Sequence, residues 1–173
     1  MSFTIETPTA ADADAVSQTA EVVYCATFRG YPEKDLREFL AGWMPPAKVA
    51  AQLASPEWHY RVIRDAEGVA GFIKLGAVDF DLPATEPEIE DAVELHQLYM
   101  QPRIHGTGAA AALMEWALGH AREMECNRMY LSVFIENLRA QAFYRRYGFY
   151  EVGKNPFRVG TIVDDDRIWR LDL

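Results

Sequence analysis

The fold is decided by residues 93–149, which read VELHQLYMQPRIHGTGAAAALMEWALGHAREMECNRMYLSVFIENLRAQAFYRRYGF. In chain order, the pattern predicts an apolar strand, a turn with two glycines, an alanine-rich helix, a second strand and a short aromatic helix. The first strand is predicted at 93–100, the long helix at about 108–124 and the second strand at 128–134. Asn137 is the predicted cap of the last helix.

The turn between the first strand and the long helix suits an anionic ligand. Gly106 and Gly108 allow a tight backbone path and let a ligand approach the main chain. The first N–H groups of the helix would face that ligand, with the positive end of the helix dipole behind them. Arg103 adds a charged fork of donors, and Thr107 is the predicted N-cap. The turn predicts a phosphate or pyrophosphate site, although an ordinary strand-to-helix turn explains the glycines equally well.

Two common phosphate-binding motifs do not fit this turn. A P-loop requires Lys and then Ser or Thr after its second glycine, whereas Ala109 and Ala110 follow Gly108. A dinucleotide-binding turn begins directly after its strand and is followed by an acidic residue at the end of the next strand. Here residues 101–103 intervene, and residues 129–134 contain no acid.

Two motifs resemble those of the GCN5-related N-acetyltransferases (GNAT family). Arg103-x-x-Gly106-x-Gly108-Ala109 resembles the family's acyl-CoA pyrophosphate loop, whose pattern is Gln/Arg-x-x-Gly-x-Gly/Ala. Residues 136–149 resemble the family's segment that contacts the cofactor and supplies a tyrosine acid. Both motifs lie in the family's order, with a helix and a strand between them. A fainter likeness at residues 27–28, 71–74 and 94–100 points to the bacterial polyamine (spermidine/spermine) N-acetyltransferases.

The resemblance implies the fold, the co-substrate and the site. It implies one α+β domain over residues 1–173, with a central mixed, mostly antiparallel sheet of about six or seven strands and helices on both faces. Acetyl-CoA would be the co-substrate. The residues that would bind it are Leu98, Tyr99, Met100, Arg103, His105, Gly106, Thr107, Gly108, Ala109, Asn137 and Tyr144.

The same resemblance implies the catalytic residues. Tyr144 would be the general acid near the sulfur, because a phenol has an unperturbed pKa near ~10, close to that of an alkyl thiol. Helical spacing alone would instead make Tyr144 a core residue. Glu94 matches a recurrent family position for the base. His96, predicted on the same face of the strand, or a chain of water molecules are the alternatives.

The length, charge and cysteine content limit the classes of protein to which the chain can belong. A length of 173 residues fits one domain, and the net charge of −9 argues against a nucleic-acid-binding surface or adsorption to anionic membranes. No leader sequence and no apolar run of ~18 residues is recognised, so no membrane span is expected. Cys25 and Cys126 are predicted to be buried free thiols, which favours a reducing cytoplasm. The four scattered histidines predict no metal site.

The remaining segments are predicted to form further helices and strands. Helices are predicted at 9–28, 33–44 and 46–53, a first strand at 3–6, a hairpin at 58–64 and 69–78, and closing strands at 149–152 and 167–173. Three acids, 164–166, are predicted in the last turn, and Gly71 predicts a bulge or a close backbone approach. The aromatic residues that are expected to be core rather than substrate wall are Phe28, Tyr31, Phe39 and Trp43.

The segment 79–94 carries seven acids and no lysine or arginine. Such a loop is most often solvated surface, and the alternative is an acidic mouth that attracts an ammonium substrate.

The predicted function is direct transfer of acetyl from acetyl-CoA to a primary amine of a small molecule, with a polyamine such as spermidine as the first choice. Other acceptors that the family resemblance leaves open are a protein N-terminus, a lysine side chain, an amino acid and an aminoglycoside. A non-catalytic acyl-CoA sensor is the alternative of another class. Retention of both Asn137 and Tyr144 argues against it, since binding alone does not require a phenol at the sulfur. Relatives in the family are often dimers, so a homodimer also remains open.

Overall fold

The computed structural model describes residues 2–28, 30–87 and 89–173. Glu88, one acid of the segment 79–94, and Arg29, predicted to end a helix, lie outside the described residues. The described helices are α1 Ala13–Thr27, α2 Glu33–Trp43, α3 Pro46–Ala54, α4 Ala109–Glu123 and α5 Leu138–Arg146, with short 3₁₀ turns at Ala10–Asp12 and Pro102–Ile104. The strands are β1 Thr4–Glu6, β2 His59–Asp65, β3 Gly68–Gly76, β4 Ala92–Met100, β5 Arg128–Phe134, β6 Tyr150–Lys154, β7 Phe157–Val159, β8 Ile162–Asp164 and β9 Asp166–Asp172.

Seven strands form one sheet in the order β1-β2-β3-β4-β5-β9-β6. Its pairs are antiparallel except for β4 and β5, which run parallel because α4 connects them. The predicted mixed, mostly antiparallel sheet is therefore confirmed. β7 and β8 form a separate small hairpin that the sequence pattern did not predict.

Helices cover both faces of the sheet, as predicted. On one face the apolar residues of α4 and α5 pack with Val93, Leu95, Met129 and Leu131. On the other face α1 and α3 pack on Val62 and Phe72 of the central hairpin. In the described parts of the chain, no helix has the length and apolarity that a membrane crossing requires.

A β-bulge in β4 changes which residues share a face. Leu75 pairs with Leu95 but Lys74 pairs with Gln97, so His96 is an extra residue in the strand. Odd-numbered Val93 and Leu95 therefore pack on the α4 side together with even-numbered Leu98 and Met100. The bulge turns the main chain of the second half of β4 relative to its first half.

The parallel pair of β4 and β5 holds together only at its start. Residues Ala92–Glu94 pair with Arg128–Tyr130, and no later pair joins the two strands. Beyond that point β4 pairs only with β3, and β5 pairs only with β9. The centre of the sheet therefore opens into a wedge between residues 95–100 and 131–134.

Several predictions about burial were wrong. Cys25 is exposed and Cys126 is half-buried, although both are free thiols as expected. Cys25 lies one residue beyond the buried stripe of Val16, Ala20 and Tyr24 on α1, so its side chain turns to solvent. α2 contains no buried residue, and its aromatic side chains are half-buried.

The prediction of a bulge or a close backbone approach at Gly71 is confirmed. The bulge between Ile63 and Arg64 lies opposite it, and a Cβ on Gly71 would lie 2.7 Å from both the Met100 sulfur and the Tyr99 carbonyl oxygen.

Candidate active site

A cavity of about 640 Å³ passes through the wedge between β4 and β5. This volume is within the range of small-molecule sites. Side chains from both layers of the fold line it. The α5 wall is formed by Met100, His105, Ala110, Asn137, Arg139, Phe143 and Tyr144. The α1 wall is formed by Tyr24, Phe28, Trp43, Asp79, Glu94, His96, Phe134, Phe157 and Asp166.

The turn before α4 leaves helix N–H groups available to an anion. Gly106 and Gly108 have φ angles of 76° and 88°, which a residue with a Cβ rarely adopts. The N-cap is Gly108, so the prediction of Thr107 as N-cap was wrong by one residue. The Thr107 hydroxyl instead donates to the Ile104 carbonyl at 2.8 Å. The Ala109 N–H donates to the Thr107 hydroxyl oxygen at 3.4 Å, whereas the N–H groups of Ala110 and Ala111 in the first turn of α4 have no acceptor within the helix.

The guanidinium group of Arg103 is not brought into the cavity. Its Nε lies 2.9 Å from an Asp65 oxygen in the β2–β3 turn, and another of its nitrogens donates to Gln101. The Asp65 side chain is 6% exposed, so the pair is well ordered by burial. Arg103 therefore fastens the turn to the central hairpin, and the expected free charge beside a phosphate is not present in this arrangement.

Arg139 of α5 is a positive group at the cavity that the sequence reasoning missed. It donates to Nδ1 of His105 at 2.8 Å. Because Nδ1 accepts, the proton of the neutral ring lies on Nε2, which donates to the Met100 carbonyl at 3.0 Å. Burial, and then the charge of Arg139, lower the pKa of His105. Arg139 thus carries the positive charge at this wall while His105 stays neutral.

Tyr144 lies on the buried face of α5 and lines the cavity. Its ring packs against Phe143 and Phe149, with centroids 5.6 and 5.7 Å away. Burial raises the pKa of the Tyr144 phenol, so it keeps its proton at neutral pH. Asn137 caps α5 as predicted, since its side-chain oxygen accepts from the Ala140 N–H at 3.1 Å.

The main chain of Leu98, Tyr99 and Met100 forms an open edge of the sheet. These residues pair with Ile73, Phe72 and Gly71 on the β3 side. On the β5 side no described strand pairs with them. An extended ligand with amide groups could pair with such an edge as an added strand does.

Glu94 and His96 form a buried pair at the point where β4 and β5 separate. Nδ1 of His96 lies 3.1 Å from a Glu94 oxygen, and both side chains are 6% exposed. Nε2 of His96 lies 3.0 Å from the Ala77 carbonyl, which can only accept, so Nε2 carries a proton. When Glu94 is protonated, its carboxyl group can donate that proton to Nδ1. Burial raises the pKa of Glu94 to about 8 and lowers that of His96 below its usual range.

Neighbouring groups affect the protonation of the Glu94–His96 pair. The Asp79 main-chain N–H donates to the second Glu94 oxygen at 3.0 Å and favours its ionised form. Lys74 is buried, with Nζ 3.8 Å from the centre of the Trp58 ring, and burial lowers its pKa to about 8. Carboxylate oxygens of Asp79 and Glu94 and a ring nitrogen of His96, all atom types that can bind a metal ion, lie within 4.8 Å of one another. The sequence did not suggest this group of three.

Aromatic rings build most of the α1 wall. Tyr24 stacks on Phe28 at 4.3 Å, and Phe28 contacts Phe134 of β5 at 5.5 Å. Trp43 reaches Tyr99 at 5.8 Å. Phe28 and Trp43, which were expected to be core, both line the cavity, and Trp43 also packs against the buried cluster beneath α1 and α3.

α2 is tied to the β7–β8 hairpin. Asp35 accepts from the Thr161 main-chain N–H at 2.8 Å, and Phe39 meets Phe157 edge to face at 5.7 Å. These contacts hold α2 and the β7–β8 hairpin together at the α1 wall.

Asp164 and Asp166 were placed in a turn by the sequence reasoning, and this was wrong. Asp164 ends β8, and Asp166 begins β9 and lines the cavity. Burial, and then the charge of Asp164, raise the pKa of Asp166 to about 6. A strand of three residues is too short to produce a recognisable sequence pattern. The one signal of strand structure here was the alternate spacing of Asp164 and Asp166.

The sequence of the chain matches a family model over residues 19–149, described as "Acetyltransferase (GNAT) family". The chain belongs to the GNAT family. An uncharacterised N-acetyltransferase of Mycobacterium tuberculosis is 45% identical over 81 residues, which are 47% of this chain and 52% of the relative. The chain thus spans about half the length of the curated relatives it matches first.

Two relatives with named activities are more distant from this GNAT chain. The N-alpha-acetyltransferase RimI of Mycobacterium tuberculosis is 34% identical over 112 residues, 63% of each protein. The spermine/spermidine N(1)-acetyltransferase of Bacillus subtilis is 32% identical over 72 residues, 41% of this chain and 47% of the relative. The PaiA N-acetyltransferase of Thermoplasma acidophilum, solved in complex with coenzyme A, has the same fold, with a TM-score of 0.79, 17% identity and full coverage of both chains.

Proposed function

We propose that this GNAT-family chain transfers an acetyl group from acetyl-CoA directly to a primary amine of a small cationic molecule, a polyamine such as spermidine being the first candidate. The observation that carries the proposal is the cavity through the wedge between β4 and β5. One wall has an open strand edge and a helix N-terminus with unpaired N–H groups, and the other has aromatic rings and carboxyl groups. Family membership supports acetyl-CoA as the donor.

The α5 wall fits the acyl-CoA molecule. The open edge of Leu98, Tyr99 and Met100 offers main-chain groups to the amides of the pantetheine arm. The turn from His105 to Ala109 offers helix N–H groups to the pyrophosphate. Asn137 and Tyr144 lie further along the same wall. Arg139, rather than Arg103, supplies the positive charge in this assignment.

The remaining requirements of the reaction are proton transfers. Acetyl-CoA supplies the activated acetyl group. An amine must lose a proton to become a nucleophile, and the ionised Glu94 carboxylate, whose fraction grows as the pH rises through its pKa of about 8, can accept that proton. The departing thiolate needs a proton, and Tyr144 holds one on its hydroxyl group. In the described chain neither Cys25 nor Cys126 lines the cavity, which favours direct transfer over an acyl-enzyme.

The acceptor class is argued from the α1 wall. Aromatic rings and carboxyl groups together suit a flexible ammonium compound. Among the described acids of the segment 79–94, only Asp79 and Glu94 line the cavity, and Glu86 is paired with Arg170 at 2.9 Å. The similarity to the Bacillus subtilis enzyme supports a polyamine, and the similarity to RimI makes a protein N-terminus the second candidate.

The test is release of free CoA thiol against a panel of amines at equal concentration. The panel contains spermidine, spermine, short diamines, amino acids, aminoglycosides and peptides with free N-termini. The proposal expects saturable release with spermidine or spermine. Release with peptides alone would overturn the small-amine acceptor. No release with any amine, together with tight CoA binding by calorimetry, would instead identify a sensor.

A further inference from the structure

The proposed proton transfers do not use Asp164 and Asp166, yet Asp164 is buried, and Asp166 is half-buried and lines the α1 wall of the cavity. Asp164 is 4% exposed. One oxygen of Asp164 accepts from the Tyr31 hydroxyl, and one oxygen of Asp166 accepts from the Ser132 hydroxyl at 3.4 Å. The other oxygen of each carboxyl group is buried and has no hydrogen-bond partner within the described chain.

Tyr24 provides an independent sign of a missing ligand at the same place. Its side chain is 3% exposed and lines the cavity, and its hydroxyl group is buried without a hydrogen-bond partner among the described residues. Burial, and then the charges of Asp164 and Asp166, raise the pKa of the Tyr24 hydroxyl group. The Tyr24 hydroxyl group and one Asp166 oxygen are thus buried polar groups without a partner among the described residues, and both residues line the same cavity.

The chemistry of this cluster selects a cation. Two neighbouring carboxyl groups that receive only neutral hydroxyl donors repel one another and are costly to bury. An ammonium group with several N–H donors would satisfy the unpartnered oxygens and offset the charge. The rings of Tyr24, Phe28 and Phe134 line the same cavity as Asp166, and the faces of aromatic rings attract cations.

The cluster lies too far from Glu94 for both to act on one nitrogen. Glu94 pairs with Tyr130, where β4 and β5 separate, and Asp166 pairs with Phe134. The four-residue step along β5 between these partners corresponds to about 13 Å of strand. A molecule held at both ends therefore needs two amine groups separated by a flexible chain.

We propose that Asp166 and the Tyr24 hydroxyl group, with Asp164 as a second buried carboxyl group beside Asp166, form a subsite for a second ammonium group of the acceptor, so that diamines and polyamines are favoured over monoamines. The proposal rests on the function proposed above and assigns its substrate class to named residues. The acidic segment 79–94 is then not the main element that recognises the distal charge.

The experiment compares butylamine, 1,4-diaminobutane and spermidine as acceptors for the wild-type protein, Asp166→Asn and Asp164→Asn. Asp165→Asn is the matched control, because Asp165 is exposed and pairs with Arg167 away from the cavity. The subsite predicts that both test variants raise KM for the two polyvalent amines at least about 10-fold and leave KM for butylamine unchanged. Melting temperatures identify any variant that has lost its fold.

An equal loss of kcat with all three amines at unchanged KM would overturn the subsite and assign Asp166 to proton transfer or structure. Calorimetric titration of spermidine into the CoA-bound protein gives a readout that needs no turnover. Binding that Asp166→Asn weakens at least about 10-fold supports the subsite even if no amine is acetylated, in which case the proposed function alone fails. Turnover of butylamine with no preference for diamines in the wild type would sink the subsite alone.

Discussion

The two walls of the cavity have opposite electrostatic character. The α5 wall presents a helix N-terminus with unpaired N–H groups and the guanidinium group of Arg139, while the α1 wall presents the carboxyl groups of Asp79, Glu94 and Asp166. In a chain with a net charge of −9, the α5 wall is a local exception. With walls of opposite charge, one cavity can orient an anionic and a cationic substrate at the same time. Each substrate would be attracted to its own wall, and the two would meet at the wedge.

Replacing Tyr144 with Phe on the α5 wall should have the largest effect of any single substitution at the cavity. The variant keeps the ring packing against Phe143 and Phe149 but loses the only proton that the α5 wall is proposed to supply. We expect kcat to fall roughly 10²- to 10³-fold with the Kd for CoA unchanged, measured by thiol release and calorimetry. A variant with nearly full kcat would mean that Tyr144 is a core residue only.

Glu94→Gln should reduce kcat by about 10- to 100-fold and alter the pH profile. Because the pKa of Glu94 is raised to about 8, its basic form increases as the pH rises through that value. Wild-type kcat should therefore rise between about pH 7 and 9, and the rise should be lost in Glu94→Gln. The amide retains an oxygen that can accept from the Asp79 N–H, so the fold is preserved. An unchanged pH profile in the variant would exclude this carboxyl group as the base.

Arg139→Ala and Arg103→Ala separate the two arginines near the α4 turn. Loss of the Arg139 charge should raise the Kd for CoA by about 5-fold, and added salt should reduce the difference. Arg103→Ala should leave the Kd within about 2-fold but lower the free energy of unfolding by roughly 1–3 kcal/mol, because Asp65 loses its partner. Calorimetry and denaturant unfolding measure the two quantities. The reverse pattern would return the phosphate role to Arg103.

Asp35→Ala should have a smaller effect that is confined to the α1 wall. The change removes the acceptor for the Thr161 N–H and loosens the contact between α2 and the β7–β8 hairpin. We expect a 2- to 5-fold rise in KM for the amine, of the order that one hydrogen bond provides, with KM for acetyl-CoA unchanged. Glu38→Ala on the exposed face of α2 is the control. An equal rise in both KM values would show that the two walls are not independent.

The α5 wall was largely predictable because it comes from one stretch of chain. The strand, turn, helix and cap of residues 93–149 are set by local preferences, and these predictions were confirmed within a few residues. The path of the Arg103 side chain was not predictable, since Asp65 is 38 residues away in sequence. The bulge at His96 left a trace in the sequence, a change in the parity of the apolar residues of β4 between Leu95 and Leu98.

The α1 wall was mostly beyond reach of the sequence. Asp35 meets Thr161 across 126 residues, and Tyr31 meets Asp164 across 133. No periodic pattern reports contacts of that separation. Asp164 and Asp166 looked like ordinary turn acids, because their burial depends on the short β7–β8 hairpin and on the aromatic rings of α1 and α2.

The most direct test of the two-wall arrangement is the initial-rate pattern with acetyl-CoA and spermidine varied together. If the two walls hold both substrates at once and transfer is direct, double-reciprocal plots at several fixed spermidine concentrations will intersect. Parallel plots, together with a stable acetylated protein detected by mass spectrometry in the absence of amine, would contradict direct transfer and require an acyl-enzyme.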